Sequence, residues 1–176
     1  MRFKAALYSM FLALFLFAGI ALAQTGLQTT PYATNYFSAT FDGPVNMQGP
    51  VRSEDNQSTN YIYLSSSTTA SQRIVVRFVD HDIAVDFTSS DFYANDDTVG
   101  GVITNRSQDY YQGHPFTYTR HHYTYNGVEM SKRTRYIIVN SREVIFVEQF
   151  APFVEGPYGT GDQPQWFDFE GTLNIK

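Results

Sequence analysis

The stretch from Tyr110 to Phe150 places the tightest constraint on the fold of this chain. Aromatic and β-branched residues dominate it, and two turn sequences interrupt it, Tyr125-Asn126-Gly127 and Asn140-Ser141-Arg142. An Asn-Gly pair between strand-like runs favours a tight β-hairpin, because Asn and Gly tolerate the positive φ angles that such a turn needs. The stretch therefore predicts three successive antiparallel strands. It also holds three of the four histidines and many tyrosines, so a functional site is expected near it.

The N-terminal residues predict export. Arg2 and Lys4 precede a mostly apolar block that runs to Leu22, and Ala21-Leu22-Ala23 ends it with small residues at the two positions that signal peptidase inspects. This order is typical of a secretory signal peptide, residues 1–23, cleaved before Gln24. An uncleaved anchor is the alternative, since the block approaches the roughly 20 residues that span a bilayer. The Ala-x-Ala ending favours cleavage, no lasting membrane insertion, and a periplasmic or secreted protein.

Charge and composition narrow the function further. Without residues 1–23 the chain keeps 10 Lys and Arg against 17 Asp and Glu, a formal charge of −7. An acidic protein is poorly suited to nucleic acid, whose binding depends on neutralised phosphates. The absence of cysteine excludes disulfides, thiol catalysis and thiolate metal sites. A core must then stabilise the fold, and we expect one globular domain over residues 36–176 after a tail at 24–35.

The rest of the chain predicts more strands and two short helices. Strands are expected at Tyr36–Phe41, Val45–Val51, Thr59–Ser65 and Arg73–Asp80, with the second pairing back on the first. Helices are expected at Ser89–Val99 and at Asp162–Glu170, where Asp can cap and Pro164 can occupy the first turn. The predicted class is α+β, a single antiparallel sheet of about six to eight strands with one or two short helices packed on it. An all-β sandwich or half-barrel is the alternative.

The order of these elements resembles a known family. A phenylalanine-bearing strand (FSATFDGPV), a G-x-P turn (YQGHPF), the three-strand meander and an aromatic ending (PQWFDFEGTLNI) follow one another over residues 36–176. This order is similar to that of exported bacterial proteins of the PsbP-like α+β fold, with Gly113-His114-Pro115 and Phe167-Asp168-Phe169 as the most specific positions. The resemblance implies a sheet covered by helices and a binding or assembly role rather than catalysis. The thin middle helix and the many Ser, Thr and Tyr residues depart from that family.

Asp80-His81-Asp82 is the sharpest candidate for metal binding or catalysis. Two carboxylates and an imidazole can ligate a divalent cation, or a carboxylate can orient the histidine. On a regular strand, however, Asp80 and Asp82 share one face and His81 points to the other. A polar corner between two strands is therefore the favoured interpretation, and a metal-assisted hydrolase is kept as an alternative.

Tyrosines in the meander form the candidate binding face. Tyrosine offers a large contact area with a polar tip, although it is also common in strands that bind nothing. The neighbouring His121 and His122 point to opposite faces of a strand, so they cannot chelate one metal ion in regular geometry. The candidate binding residues are Tyr110, Tyr111, Tyr118, His122, Tyr123, Tyr125 and Tyr136.

The sequence shows no catalytic set and predicts no cofactor. It has no G-x-S-x-G motif, and Gly100-Gly101 lacks the lysine and serine of a phosphate-binding loop. The leading hypothesis is an exported, non-enzymatic binding or accessory protein of the cell envelope. It would contact a partner protein through the tyrosines or through loop 151–164. The alternatives are a small-ligand carrier with an aromatic-lined pocket, and the hydrolase that uses His81 with Asp80 and Asp82.

Overall fold

The computed structural model describes residues 29–66, 70–88, 102–153 and 169–176, and these residues are built almost entirely from strands. The strands are β1 (Thr29–Ala33), β2 (Phe37–Asp42), β3 (Asn46–Arg52), β4 (Ser58–Ser66), β5 (Ser71–Val79), β6 (Val102–Tyr111), β7 (His114–Tyr125), β8 (Val128–Asn140), β9 (Glu143–Pro152) and β10 (Asn174–Ile175). They form a three-stranded sheet in the order β1-β2-β10 and a seven-stranded sheet in the order β3-β4-β5-β9-β8-β7-β6.

The predicted three-strand meander is confirmed. Strands β7, β8 and β9 pair antiparallel in sequence order. Asn126 and Gly127 have φ angles of 50° and 79°, the mirror-image turn that Asn-Gly favours. A second turn of this kind joins β6 to β7, with φ angles of 52° and 84° at Gln112 and Gly113. Three consecutive strands, β6, β7 and β8, therefore take their pairing from local turn chemistry.

The predicted α+β class is wrong. Of the described residues, 71% lie in strands, and none lies in an α-helix. The predicted helix at Ser89–Val99 lies outside the described residues, as does most of the one at Asp162–Glu170. Only a 3₁₀ turn, Glu170–Thr172, is present near the second. The physical reason is that a sheet, not a helix layer, covers the seven-stranded sheet: alternate residues of β2, Phe37, Ala39 and Phe41, supply the apolar surface.

The start of the domain also differs from the prediction. Thr29–Ala33, expected as part of a tail, forms β1 and pairs with β2. Strand β3 was predicted to pair back on β2, but it pairs with β4 in the other sheet. The amide of Asp42 donates a hydrogen bond to Oε1 of Gln72 (2.6 Å), which attaches the end of β2 to the larger sheet. The chain crosses between sheets here instead of reversing within one.

The central strands of the seven-stranded sheet bury side chains on both faces. Its front face, the side toward the three-stranded sheet, holds a core around Phe37, Phe41, Ile74, Ile145 and Val147, joined by Phe169 and Leu173. Each such buried side chain stabilises the fold by about 1.5–3 kcal/mol. Its back face holds a second cluster that includes Tyr136, Val144 and Phe146, against which Ile83 and Phe87 pack. Among the described residues, no helix is long and apolar enough to cross a membrane.

Candidate binding site

Arginines gather on the front face of strands β7 and β8. Ile137 of β8 belongs to the front core, so strand alternation turns Arg133 and Arg135 to the same side. The strand register places Arg120 opposite Arg133 and Tyr118 opposite Arg135. Four side chains therefore form a square on two neighbouring strands, with three guanidinium groups and one phenol at its corners. We call this group the arginine square; its members are Tyr118, Arg120, Arg133 and Arg135.

A groove of about 380 Å³ lies beside this square. It is open to solvent rather than enclosed, and its lining is mainly polar. Strands β6, β7 and β8 each contribute to its walls. We call it the front groove, and its lining residues are Ser107, Gln108, Asp109, Phe116, Tyr118, Arg133 and Arg135.

Aromatic rings hold Arg135 in position. The centre of its guanidinium lies 5.3 Å from the ring of Tyr111 and 5.4 Å from that of Phe116. The negative faces of the rings attract the cation. The Tyr111 hydroxyl in turn donates a hydrogen bond to the carbonyl of Leu173 (2.5 Å), so the C-terminal residues fix the ring. Arg135 is therefore oriented toward the front groove before any ligand arrives.

Arg120 and Arg133 face each other across the pair of strands. Like charges directly opposite on a sheet reduce its stability. Both side chains are half-buried, and a guanidinium of Arg120 lies 3.4 Å from the Tyr118 hydroxyl, to which it donates. The register therefore places two cationic side chains next to each other on the front face, beside the front groove.

The back face of the same strands carries a different charge cluster. Glu148 is 4% exposed and Lys132 5% exposed, and the Lys132 ammonium lies 2.9 Å from Oε1 of Glu148. Arg73 contacts the second carboxylate oxygen. Burial alone would raise the pKa of Glu148, but Arg73 and Lys132 outweigh it and lower the pKa to about 2. In this cluster two cations share one buried carboxylate, so it is an ion network internal to the fold.

Tyr123 lies close to that network. Burial, with a smaller contribution from the negative charge of Glu148, raises the pKa of Tyr123 to about 12. The phenol therefore stays neutral throughout the physiological range. Tyr123 therefore packs within the back face as a neutral phenol.

The structure divides the predicted tyrosine face between two sides of the sheet. Tyr111, Tyr118 and His122 point to the front, and Tyr110, Tyr123, Tyr125 and Tyr136 to the back. Tyr123 and Tyr136 are buried, whereas Tyr110 is 63% exposed. Only Tyr118 lines the front groove, with Tyr111 behind Arg135. The candidate residues do not form one contact surface for a partner, and loop 151–164 lies outside the described residues beyond Phe153.

His122 occupies a separate front-face position. Its ring stacks on Phe153, with centroids 4.0 Å apart and planes inclined by 18°. Its Nε2 atom also contacts the carboxylate of Glu129 across the hairpin. His122 therefore packs at the end of the meander, and it does not line the front groove.

Asp80-His81-Asp82 forms a polar corner after β5. The Asp80 carboxylate accepts from Arg52 at 2.5 Å, and the Asp82 carboxylate accepts from Nε of Arg142 at 2.6 Å. The hydrogen bond from Arg52 lowers the pKa of Asp80. Within the described part of the chain, no three His, Asp or Glu side chains come together as a possible metal site. The carboxylates thus tie the corner to neighbouring turns.

Sequence reasoning missed the arginine square, although a signal for it was present. Arg133-Thr134-Arg135 has the period-two spacing that puts two charges on one face. The Asn126-Gly127 turn then fixes Arg120 opposite Arg133. Charged residues on strands usually face solvent, so this spacing alone does not distinguish a groove from an ordinary exposed face.

Comparison with known proteins adds no family. The chain matches no protein-family model, and no curated protein matches it. The resemblance to the PsbP-like family therefore stays a prediction, without the α+β architecture that it implied.

Proposed function

We propose that the protein is an exported, non-enzymatic binding protein that holds a small anionic ligand in the front groove. The observation that carries this proposal is the set of three half-buried guanidinium groups, Arg120, Arg133 and Arg135, beside a groove of about 380 Å³. The export element rests on the sequence of residues 1–23, which lie outside the described residues. Of the three functions predicted from the sequence, the small-ligand carrier has the best support.

The chemistry of the groove favours a carboxylate or a phosphate. A guanidinium presents paired N–H donors in a planar fork that matches both groups. Partial burial strengthens these contacts, because the effective dielectric constant is lower than in water. Phe116 is almost fully buried, and the lining of the groove is mainly polar. These features favour a small polar ligand with a carboxylate or phosphate group.

The overall charge of the protein favours a small anion over a polymeric one. With a formal charge of −7 after removal of residues 1–23, the surface as a whole repels polyanions. The arginine square is a local exception on that surface. A small ligand can enter the square without lying against the acidic surroundings, whereas nucleic acid cannot.

Calorimetric titration of the protein lacking residues 1–23 tests the proposal. The probes are benzoate, citrate and inorganic phosphate as sodium salts, titrated against a chloride background. We expect at least one probe to bind, and the double variant Arg133→Gln/Arg135→Gln to bind it about ten-fold or more weakly, because each charged hydrogen bond contributes roughly 1.5–3 kcal/mol.

Arg106→Gln is the matched control, since Arg106 is exposed on β6 and does not line the groove. It should bind the probes as the unmodified protein does, and urea denaturation should show all variants folded. Equal binding by the double variant and the unmodified protein contradicts the proposal. So does the absence of binding for all three probes.

A further inference from the structure

Residues 169–176 form a short segment that packs on the rest of the domain as a unit, and we call it the docking segment. Its 3₁₀ turn is closed from within, because the amide and the hydroxyl of Thr172 both donate to the carbonyl of Phe169, at 3.1 and 2.8 Å. Strand β10 follows this turn and pairs antiparallel with β2. The docking segment therefore carries its own local structure and joins the sheet as one short strand.

The slot that receives β10 supplies hydrogen bonds to both edges of this strand. On one edge, the backbone of β2 pairs with Asn174 and Ile175. On the other edge, Nε2 of Gln112 donates to the carbonyl of Leu173 (2.9 Å), and its Oε1 accepts from the amide of Ile175 (2.9 Å). The hydroxyl of Tyr111 donates to the same carbonyl of Leu173 (2.5 Å). The slot thus binds the main chain of an extended segment, as in strand addition to a sheet.

Apolar side chains anchor the docking segment in the front core. Phe169 is fully buried, with its ring centre 4.9 Å from that of Phe41, and Leu173 is 3% exposed. Ile175 is partly buried against the same core. Each fully buried side chain of this kind stabilises the docked state by about 1.5–3 kcal/mol. The alternation of Leu173 and Ile175 therefore gives the slot its preference for side chains.

Each of these contacts can form equally well when the docking segment belongs to another copy of the chain. Residues 154–168 connect the segment to β9, and their sequence is rich in glycine and proline. An extended chain of this length covers at most roughly 50–54 Å, which is long enough to reach a neighbouring molecule. We propose that the slot also accepts the docking segment of a second copy, so that two chains exchange their segments and form a closed symmetric dimer.

Protein concentration should decide between the two forms. The exchanged dimer contains the same slot contacts as two monomers, so the balance depends on the effective concentration of the tethered segment. This concentration is in the millimolar range for a flexible linker. We therefore expect monomers at micromolar concentration and a substantial fraction of dimer at about 1 mM. The slot is a different surface from the front groove, so this proposal does not depend on the ligand of the groove.

Refolding from urea at two protein concentrations tests the proposal. The protein lacking residues 1–23 is unfolded, refolded at about 10 µM or about 1 mM, and then measured by light scattering after size exclusion. Unfolding releases the buried anchors, so both forms can be populated on refolding. We expect monomer at the lower concentration and a dimer fraction at least about five-fold larger at the higher one.

Two single-cysteine variants identify the exchanged segment, since the chain has no cysteine of its own. Ser38→Cys and Asn174→Cys place thiols on residues that are directly opposite in β2 and β10, close enough for a disulfide. An equal mixture of the two variants is refolded at about 1 mM and then oxidised. We expect a disulfide between one variant and the other, identified by mass spectrometry of the linked peptides.

Ser38→Cys mixed with Asp55→Cys is the matched control, because Asp55 is exposed in the turn between β3 and β4 and reports only random collisions. The double variant Ser38→Cys/Asn174→Cys, refolded at about 10 µM, should close its disulfide within one chain and so show that the pair can be linked. A protein that stays monomeric after refolding at 1 mM overturns the proposal. A dimer in which Ser38→Cys and Asn174→Cys link no more than the control pair also overturns it.

Discussion

Strand β8 directs positive charge to both faces of the seven-stranded sheet, and the two faces accommodate it differently. On the back, Lys132 is almost fully buried and lies against Glu148, which Arg73 also contacts. On the front, Arg133 and Arg135 are half-buried beside a groove, and two rings flank Arg135. A fully buried charge needs a counter-charge within the protein, whereas a half-exposed guanidinium stays charged through its contact with solvent. Full burial therefore makes the back a structural site, and partial exposure makes the front a candidate binding site.

Among the substitutions that test the difference between the two faces, Glu148→Gln has the largest expected effect. Removing this charge leaves Arg73 and Lys132 close together without their shared carboxylate, and breaking a buried ion pair usually costs about 3–5 kcal/mol. We expect a loss of that size in the free energy of unfolding, measured by urea denaturation. Glu54→Gln, at an exposed position, is the control and should have no measurable effect. Equal stability of Glu148→Gln and the unmodified protein would show that the back-face network is not structural.

The acid sensitivity of the protein should depend on the same residue. Folding lowers the pKa of Glu148 from 4.5 to about 2, so the ion network stabilises the fold above pH 4.5. Its contribution is lost as the pH falls from about 5 toward 2, and the difference in pKa corresponds to about 3 kcal/mol. Urea denaturation of the unmodified protein at pH 7, 5 and 3 should show this loss. Glu148→Gln should show a flatter profile, and parallel profiles for the two proteins would contradict the assignment.

The front face should respond more weakly. Arg133 is only half-buried, so Arg133→Gln should change the free energy of unfolding by less than about 1 kcal/mol. Lys132→Gln, one residue earlier on the same strand, should destabilise the protein because Glu148 loses a partner. Urea denaturation of the two variants side by side measures the difference. A loss of stability in Arg133→Gln as large as in Lys132→Gln would remove the distinction between the faces.

The smallest effect is expected at the corner formed by Asp80. Its ion pair with Arg52 is exposed, and such pairs are weakened by water and salt. Asp80→Asn should therefore unfold at the same urea concentration as the unmodified protein at 150 mM salt, with the same metal content. A clear loss of stability, or a bound divalent ion that the substitution releases, would show that the corner has a role of its own.

Local sequence determined the meander and the relative positions of the arginine and tyrosine side chains on β7 and β8. The Asn126-Gly127 turn sets which residues of β7 and β8 face each other. The pairing starts at the turn and advances by one residue on each strand, so the position of the turn fixes every later pair. From that register alone, Arg120 lies opposite Arg133, and Tyr118 lies opposite Arg135. The alternation of side chains then places all four on one face. These contacts are short in sequence, so no distant residue is needed to specify them.

Only the tertiary structure decided which charged side chains became buried and which stayed half-exposed beside a groove. Arg73 reaches Glu148 because β5 lies beside β9, a pairing between residues 75 positions apart that no turn encodes. The transfer of β2 to the second sheet, which replaced the expected helix layer, has the same origin. Strand order and sheet assignment depend on the apolar surface that the whole domain buries, and local propensity carries little of that information. The sequence thus specified the neighbours of Arg133, and the fold specified its exposure.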